Sequence, residues 1–80
     1  LTRALARVLA PRLRVNAIAP GTVLLPEDFD PQAATHLTAT TPLRRDGSPE
    51  DVVQAMLFLL HATYVTGETI IVDGGRHVRH

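Results

Sequence analysis

Cysteine, lysine and tryptophan are absent from these 80 residues, and each absence closes a class of chemistry. Without cysteine the chain forms no disulfide and offers no thiolate to a metal, which fits a reducing, cytoplasmic setting. Without lysine, all eight basic residues are arginine, and the single tyrosine, Tyr64, has no lysine cation in this chain to lower its pKa for acid catalysis. An aromatic content of 4% leaves no stacking platform for single-stranded nucleic acid. A surplus of either charge is missing too. Eight basic residues balance eight acidic ones with no like-charge block, so neither nucleic acid nor an anionic membrane is an expected partner. No apolar run is long enough to cross a bilayer, and Leu1 to Ala10, interrupted by Arg3 and Arg7, is not a signal peptide.

What is present is a hydrophobic content of 45%, enough for a globular core, in a chain short enough to bury only about 60 to 65% of its unfolded surface. The sole methionine is Met56, and the chain opens inside a helical pattern. Residues 1–80 therefore read as the C-terminal portion of one larger domain, with the N-terminal portion missing.

Arg14 to Gly21, RVNAIAPG, is the stretch the rest flanks. The apolar run Leu13 to Ala19 predicts a strand buried on both faces, as in the middle of a parallel sheet. Inside it the polar side chain of Asn16 is expected to tie the strand to a neighbouring loop. Before it, Leu1, Ala4, Leu5, Val8 and Leu9 line one face of a helix that Pro11 ends. After it, Gly21 to Thr41 exceeds the usual connection and reads as a lid or substrate loop. Within that loop Asp30 caps, and Pro31 starts, a short helix from Gln32 to about Ala39. Ser48-Pro49-Glu50-Asp51 starts a longer helix as a capping box with Asp in place of Glu. Its Val52, Val53, Met56, Leu57, Leu59 and Leu60 predict a well-buried element, with His61 in the last turn. Thr69 to Val72 predicts a second buried strand closed by Asp73-Gly74-Gly75, and Arg76 to His80 a fraying basic tail. Helix, strand, loop with a short helix, helix and strand make the C-terminal part of a Rossmann-like, doubly wound parallel α/β sheet.

Ligands of open α/β sheets sit beyond the carboxyl ends of the strands, which directs attention to Pro20, Gly21, Thr22 and Val23. A sharp Pro-Gly turn can offer main-chain N–H and C=O groups to a flat amide such as a nicotinamide carboxamide. Other candidates are weaker. His36, His61, His77 and His80 lie on separate segments without metal-ligand spacing, so no metal site is expected. Tyr64 is given a packing role. Ser48 is used as a helix cap and lacks a GxSxG elbow. Gly74-Gly75 has no helix pattern after it to present phosphate to. No catalytic residue is visible in the chain.

LTRALARVLAPRLRVNAIAPG, TPLRRDGSPEDVVQAMLFLL and YVTGETIIVDGG, in this order and spacing, resemble the C-terminal third of the short-chain dehydrogenase/reductase family. The likeness covers nearly the whole chain except Leu24 to Thr40. It implies a Rossmann-like fold that binds NAD or NADP, with NADP slightly favoured, and transfers hydride between the nicotinamide and a carbonyl, an alcohol or a pteridine-like substrate. Pro20 and Gly21 match the family's Pro-Gly, and Thr22 and Val23 the residues whose backbone approaches the nicotinamide. Where the family often has a cofactor-bonding Thr, this chain has Leu25. Pro26, Glu27 and Asp28 are most similar to the pteridine reductase-like branch.

The resemblance further implies that the glycine-rich phosphate loop, the catalytic Ser and the Tyr-x-x-x-Lys pair lie upstream of Leu1. The parent is then an oxidoreductase, while this chain alone is inactive. It also implies a homotetramer, with the Leu1 to Ala10 helix in one interface and the Ser48 helix plus the Thr69 strand in the other. The alternative is a non-catalytic remnant or interaction module that pairs through an exposed sheet edge. A small DNA-binding helical unit is disfavoured by the neutral charge and the buried-strand pattern.

Overall fold

Residues 1–21 and 30–78 are described by the structure, a computed structural model. In chain order the elements are α1 (Thr2–Leu9), β1 (Ala17–Pro20), α2 (Pro31–Thr40), α3 (Pro49–His61) and β2 (Thr69–Val72), then a single 3-10 turn at Arg76–Val78. β1 and β2 pair in parallel, with Ala17 opposite Thr69 and Pro20 opposite Val72. The intervening helical connection is what parallel pairing requires. The fold class is α/β with a parallel sheet, as expected.

The first strand is shorter than its apolar run predicts. It begins at Ala17 rather than Leu13, because the preceding backbone is engaged elsewhere. The Leu13 N–H donates to the Leu9 carbonyl at 3.0 Å, and the Val15 N–H to Thr66 Oγ1 at 3.0 Å. Asn16 does what was expected of it. Its Nδ2 donates to the Val65 carbonyl at 3.0 Å, and its Oδ1 accepts the Glu68 N–H at 3.1 Å. Ladder bonds extend beyond both strand ends, from the Gly67 N–H to the Val15 carbonyl and from the Gly21 N–H to the Val72 carbonyl, both at 2.8 Å.

Helix starts follow the local signals. Asp30 Oδ1 accepts the Gln32 N–H at 3.2 Å with Pro31 in the first position of α2. At α3 the Asp51 carboxylate reaches back to the Ser48 N–H at 2.7 Å, and the Ser48 hydroxyl donates to the same oxygen at 3.1 Å. The carboxyl end of α3 is closed by a residue from the other side of the chain. Arg14 Nη1 donates to the carbonyls of Leu59 at 2.8 Å and Ala62 at 3.0 Å, and its Nη2 to that of Leu60 at 3.2 Å. A cation at the negative end of a helix satisfies carbonyls that have no partner in the helix.

Burial departs from expectation. α3 was expected to be well buried, yet only Leu59 is; Met56, Leu57, Phe58 and Leu60 are exposed. In α1 it is Ala6, 4% exposed, that is buried, whereas Leu1 and Val8 are 95% and 73% exposed. The strands are half-buried rather than buried on both faces, with Ile71 open to solvent. The physical reason is a shortage of partners: α3 packs against a sheet of two strands, and nothing among the described residues covers the remaining apolar faces. Accessible surface is 6230 Å², against roughly 4,700 Å² for a compact chain of this mass. The radius of gyration is 15.4 Å, against about 12 Å.

Candidate cofactor site

Parallel pairing sets the carboxyl ends of β1 and β2 side by side, with Pro20 level with Val72 and Gly21 against Asp73. A Cβ on Gly21 would lie 2.8 Å from Asp73 Cβ and 2.9 Å from Asp73 Cα, so glycine is needed for this strand-end contact itself. The main chain here offers less to a ligand than the sequence suggested. The Gly21 N–H is bonded to the Val72 carbonyl, and Pro20 has no N–H. Within the described turn, then, no main-chain donor is free to meet a carboxamide. Thr22 and Val23 lie outside the described residues, as do Leu24, Leu25, Pro26, Glu27 and Asp28.

Beside this turn is a cluster the sequence reading overlooked. Arg76 to Val78, expected to fray, is folded back onto Asp73. Asp73 Oδ1 accepts the Gly75 N–H and Oδ2 the His77 N–H, both at 3.0 Å. His77 Nδ1 sits 2.9 Å from Oδ1 and 3.0 Å from Oδ2. Burial pushes the Asp73 pKa up, but the His77 ring and the two N–H donors outweigh it, and the net displacement is downward. Gly74 and Gly75 adopt φ of +67° and +90°, which glycine tolerates and which lets the chain reverse so tightly. The signal was present as Asp-Gly-Gly with a histidine four residues after the Asp.

This turn also meets the end of α2. The Leu43 N–H donates to the Gly74 carbonyl at 3.0 Å, and Arg76 Nη1 to Thr40 Oγ1 at 3.2 Å. A cavity of about 330 Å³ opens alongside, lined by Leu37, Thr41, Arg45, Ile71, Asp73 and Arg76 among others. At its rim Arg45 holds Asp51 bidentately, with both N···O distances at 3.0 Å. That guanidinium, with the Ser48 N–H, keeps the Asp51 carboxyl far below the usual carboxylate range.

The remaining candidates stay apart. His36 lies on α2, His61 ends α3, and His77 is paired with Asp73, while His80 is outside the described residues. Among the described residues no three His, Asp or Glu side chains come together as metal ligands. Tyr64, expected to pack, is fully exposed, because it sits in the turn that follows α3. No helix among the described residues is long and apolar enough to cross a membrane.

Strand order, parallel register and the helical connection match a portion of a Rossmann-like sheet. Residues 1–77 match the family model described as enoyl-(acyl carrier protein) reductase. The chain belongs to the short-chain dehydrogenase/reductase family. It is 51% identical over 81 residues to a protein named as ketoacyl reductase 2 of the granaticin polyketide synthase from Streptomyces violaceoruber, covering 96% of this chain and 32% of that protein. It is 37% identical over 79 residues to a dihydromonapterin reductase from Citrobacter koseri, covering 99% of this chain and 33% of that one. A small-chain dehydrogenase solved in complex with NADPH superposes with a TM-score of 0.87 at 33% identity, covering 98% of this chain and 38% of that one. The chain thus spans about a third of the length of the curated relatives it matches.

Proposed function

We propose that these residues are the C-terminal portion of a nicotinamide-dependent reductase, with Pro20, Gly21, Thr22 and Val23 beside the nicotinamide ring. The observation that carries the reading is the pairing of β1 and β2, whose carboxyl ends meet at Gly21 and Asp73, in a fold that superposes on an NADPH-bound relative. The bound cofactor supplies the hydride. The chain's own part is to close the sheet beside the ring and to hold the turn in place. Any main-chain donor to the carboxamide comes from Thr22 or Val23, since the Gly21 N–H is engaged. NADP is the favoured carrier, in line with the NADPH-bound relative.

A carbonyl is the favoured substrate, because the ketoacyl reductase is the nearer relative at 51% identity; the dihydromonapterin reductase, at 37%, supports a reduced pterin as the second candidate. The proton-transferring Tyr and its Lys belong to the part of the family fold that this chain does not span, so the 80 residues alone are inactive. The exposed apolar faces of α1 and α3 are covered in the whole protein by the rest of the domain and by partner subunits of a homotetramer in the cytoplasm. One feature favours a second reading, a non-catalytic pairing module: among the described residues the two-stranded sheet has unpaired edges.

The whole protein decides between these readings. Titration with NADPH and NADH should give binding, tighter for NADPH. NADPH consumption should then follow with an acetoacetyl thioester rather than a dihydropterin. Faster consumption with the pterin would reverse the substrate choice, and absence of binding to either nucleotide would leave the pairing module.

A further inference from the structure

We infer that Asp73 is a positioning residue: folded into a clasp with His77, it holds the Pro20–Gly21 turn and the carboxyl end of α2 in one fixed relation. The inference rests on the proposed nicotinamide site, whose setting it explains. Its first observation is that the chain leaving at Gly21 and returning at Thr40 has both stems against the same short turn. Gly21 abuts the Cα and Cβ of Asp73, and its N–H is bonded to Val72. At the other stem the Gly74 carbonyl takes the Leu43 N–H, Arg76 reaches Thr40 Oγ1, and a Cβ on Gly74 would come within 2.8 Å of Thr41 Cγ2.

The second observation is what gives that turn its shape. Its two glycines carry positive φ and favour no single conformation by themselves, so the reversal is imposed by the three donors that converge on the Asp73 carboxylate. If the carboxylate or the imidazole is lost, the Gly74 carbonyl and the Arg76 side chain lose their aim at α2, while Gly21 loses a fixed surface to rest on. All of these contacts are internal to the described residues. They do not depend on what covers the exposed apolar faces.

The test uses the whole protein carrying Asp73→Asn, His77→Ala or His77→Asn. Two quantities are read, the NADPH dissociation constant and hydrogen exchange of peptides covering Gly21 and Pro31–Thr40. Asp73→Asn and His77→Ala should raise the dissociation constant three- to tenfold and speed exchange in both peptides about tenfold, with global secondary structure retained. His77→Asn should restore both values, because the Asn amide nitrogen occupies the place of Nδ1 in the same three-bond geometry. If Asp73→Asn does not fold, the two His77 variants carry the comparison. Unchanged exchange, faster exchange with an unchanged dissociation constant, or failure of His77→Asn to restore either value overturns the inference. Should the unaltered protein bind neither NADPH nor NADH, the functional reading fails separately, and the clasp stands or falls on whether the two peptides loosen together.

Discussion

Arg14 donates to the carbonyl of Leu59 at 2.8 Å, joining the approach to β1 to the last turn of α3 across 45 residues. With Leu60 and Ala62 also accepting, one guanidinium gathers three carbonyls at the end of α3, that of Ala62 shared with the Val65 N–H and those of Leu59 and Leu60 being ones the helix itself leaves open. Truncation in Arg14→Ala should lower the unfolding free energy of the whole protein by about 1 to 2 kcal/mol, the range for charge-assisted bonds that are partly exposed. Arg14→Lys should recover less than half, since an ammonium cannot span three carbonyls with a planar fork. Urea denaturation with matched slopes measures both.

Asn16 bridges the same junction with both ends of its amide, to Val65 and Glu68. Asn16→Asp keeps the acceptor and turns the donor into a second negative oxygen facing a carbonyl. The expected loss is about 2 kcal/mol, larger than for Asn16→Ala, because a half-buried charge is left against a like partial charge. Thermal midpoints of the two variants should fall in that order; an equal midpoint for Asn16→Asp and the unaltered protein would remove the bridge from the account.

Glycine has different reasons to be present at Gly21 and at Gly67. At Gly21 a Cβ would meet Asp73 within 2.8 Å, so Gly21→Ala should destabilise by about 1 to 3 kcal/mol through overpacking. At Gly67 there is room, since a Cβ would sit 3.5 Å from Ala6 Cβ, but φ is +79° and Gly67→Ala costs about 1 to 2 kcal/mol in backbone strain. Replacing Gly67 by Asn, which tolerates that region better, should recover part of the loss, while Gly21→Asn should not. Denaturation midpoints across the four variants distinguish the mechanisms.

Acid should act through Asp51. Its folded pKa is depressed by Arg45 and the Ser48 N–H, so its contribution is complete above the unfolded carboxylate pKa, about 3.9, and is lost as pH falls below it. The unaltered protein should therefore lose stability more steeply below that pH than Asp51→Asn. Since the pair is exposed at Arg45, high salt should narrow the difference. Parallel acid limbs for the two proteins in a pH series would show that Asp51 does not contribute.

How well each element could be read ahead of the structure follows the range of the interactions that define it. The two longer helices were legible in Asp30-Pro31 and Ser48-Pro49-Glu50-Asp51, because a cap acts over three or four residues and needs nothing from elsewhere. The second strand was legible as Thr69 to Val72, and the tie made by Asn16 followed from a polar side chain inside an apolar run. The first strand came out too long, because apolar character does not reveal that Leu13 to Asn16 bond to Leu9, Thr66 and the Val65 to Glu68 loop. Arg14 gave no local signal at all, its partners being far along the chain.

Sequence by itself determined the alternation of helix and strand, the neutral charge, the place where the first strand bends at Pro20-Gly21, and the likeness to one family of nucleotide-binding sheets. Tertiary structure alone decided that Gly21 is held against Asp73, that its N–H is already engaged, and that the C-terminal residues fold into a clasp on α2. The physical reason is distance along the chain. Caps, turns and periodicity are energies between near neighbours, whereas the meeting of two strand ends depends on contacts between residues some fifty positions apart, which exist only once the parallel register has formed.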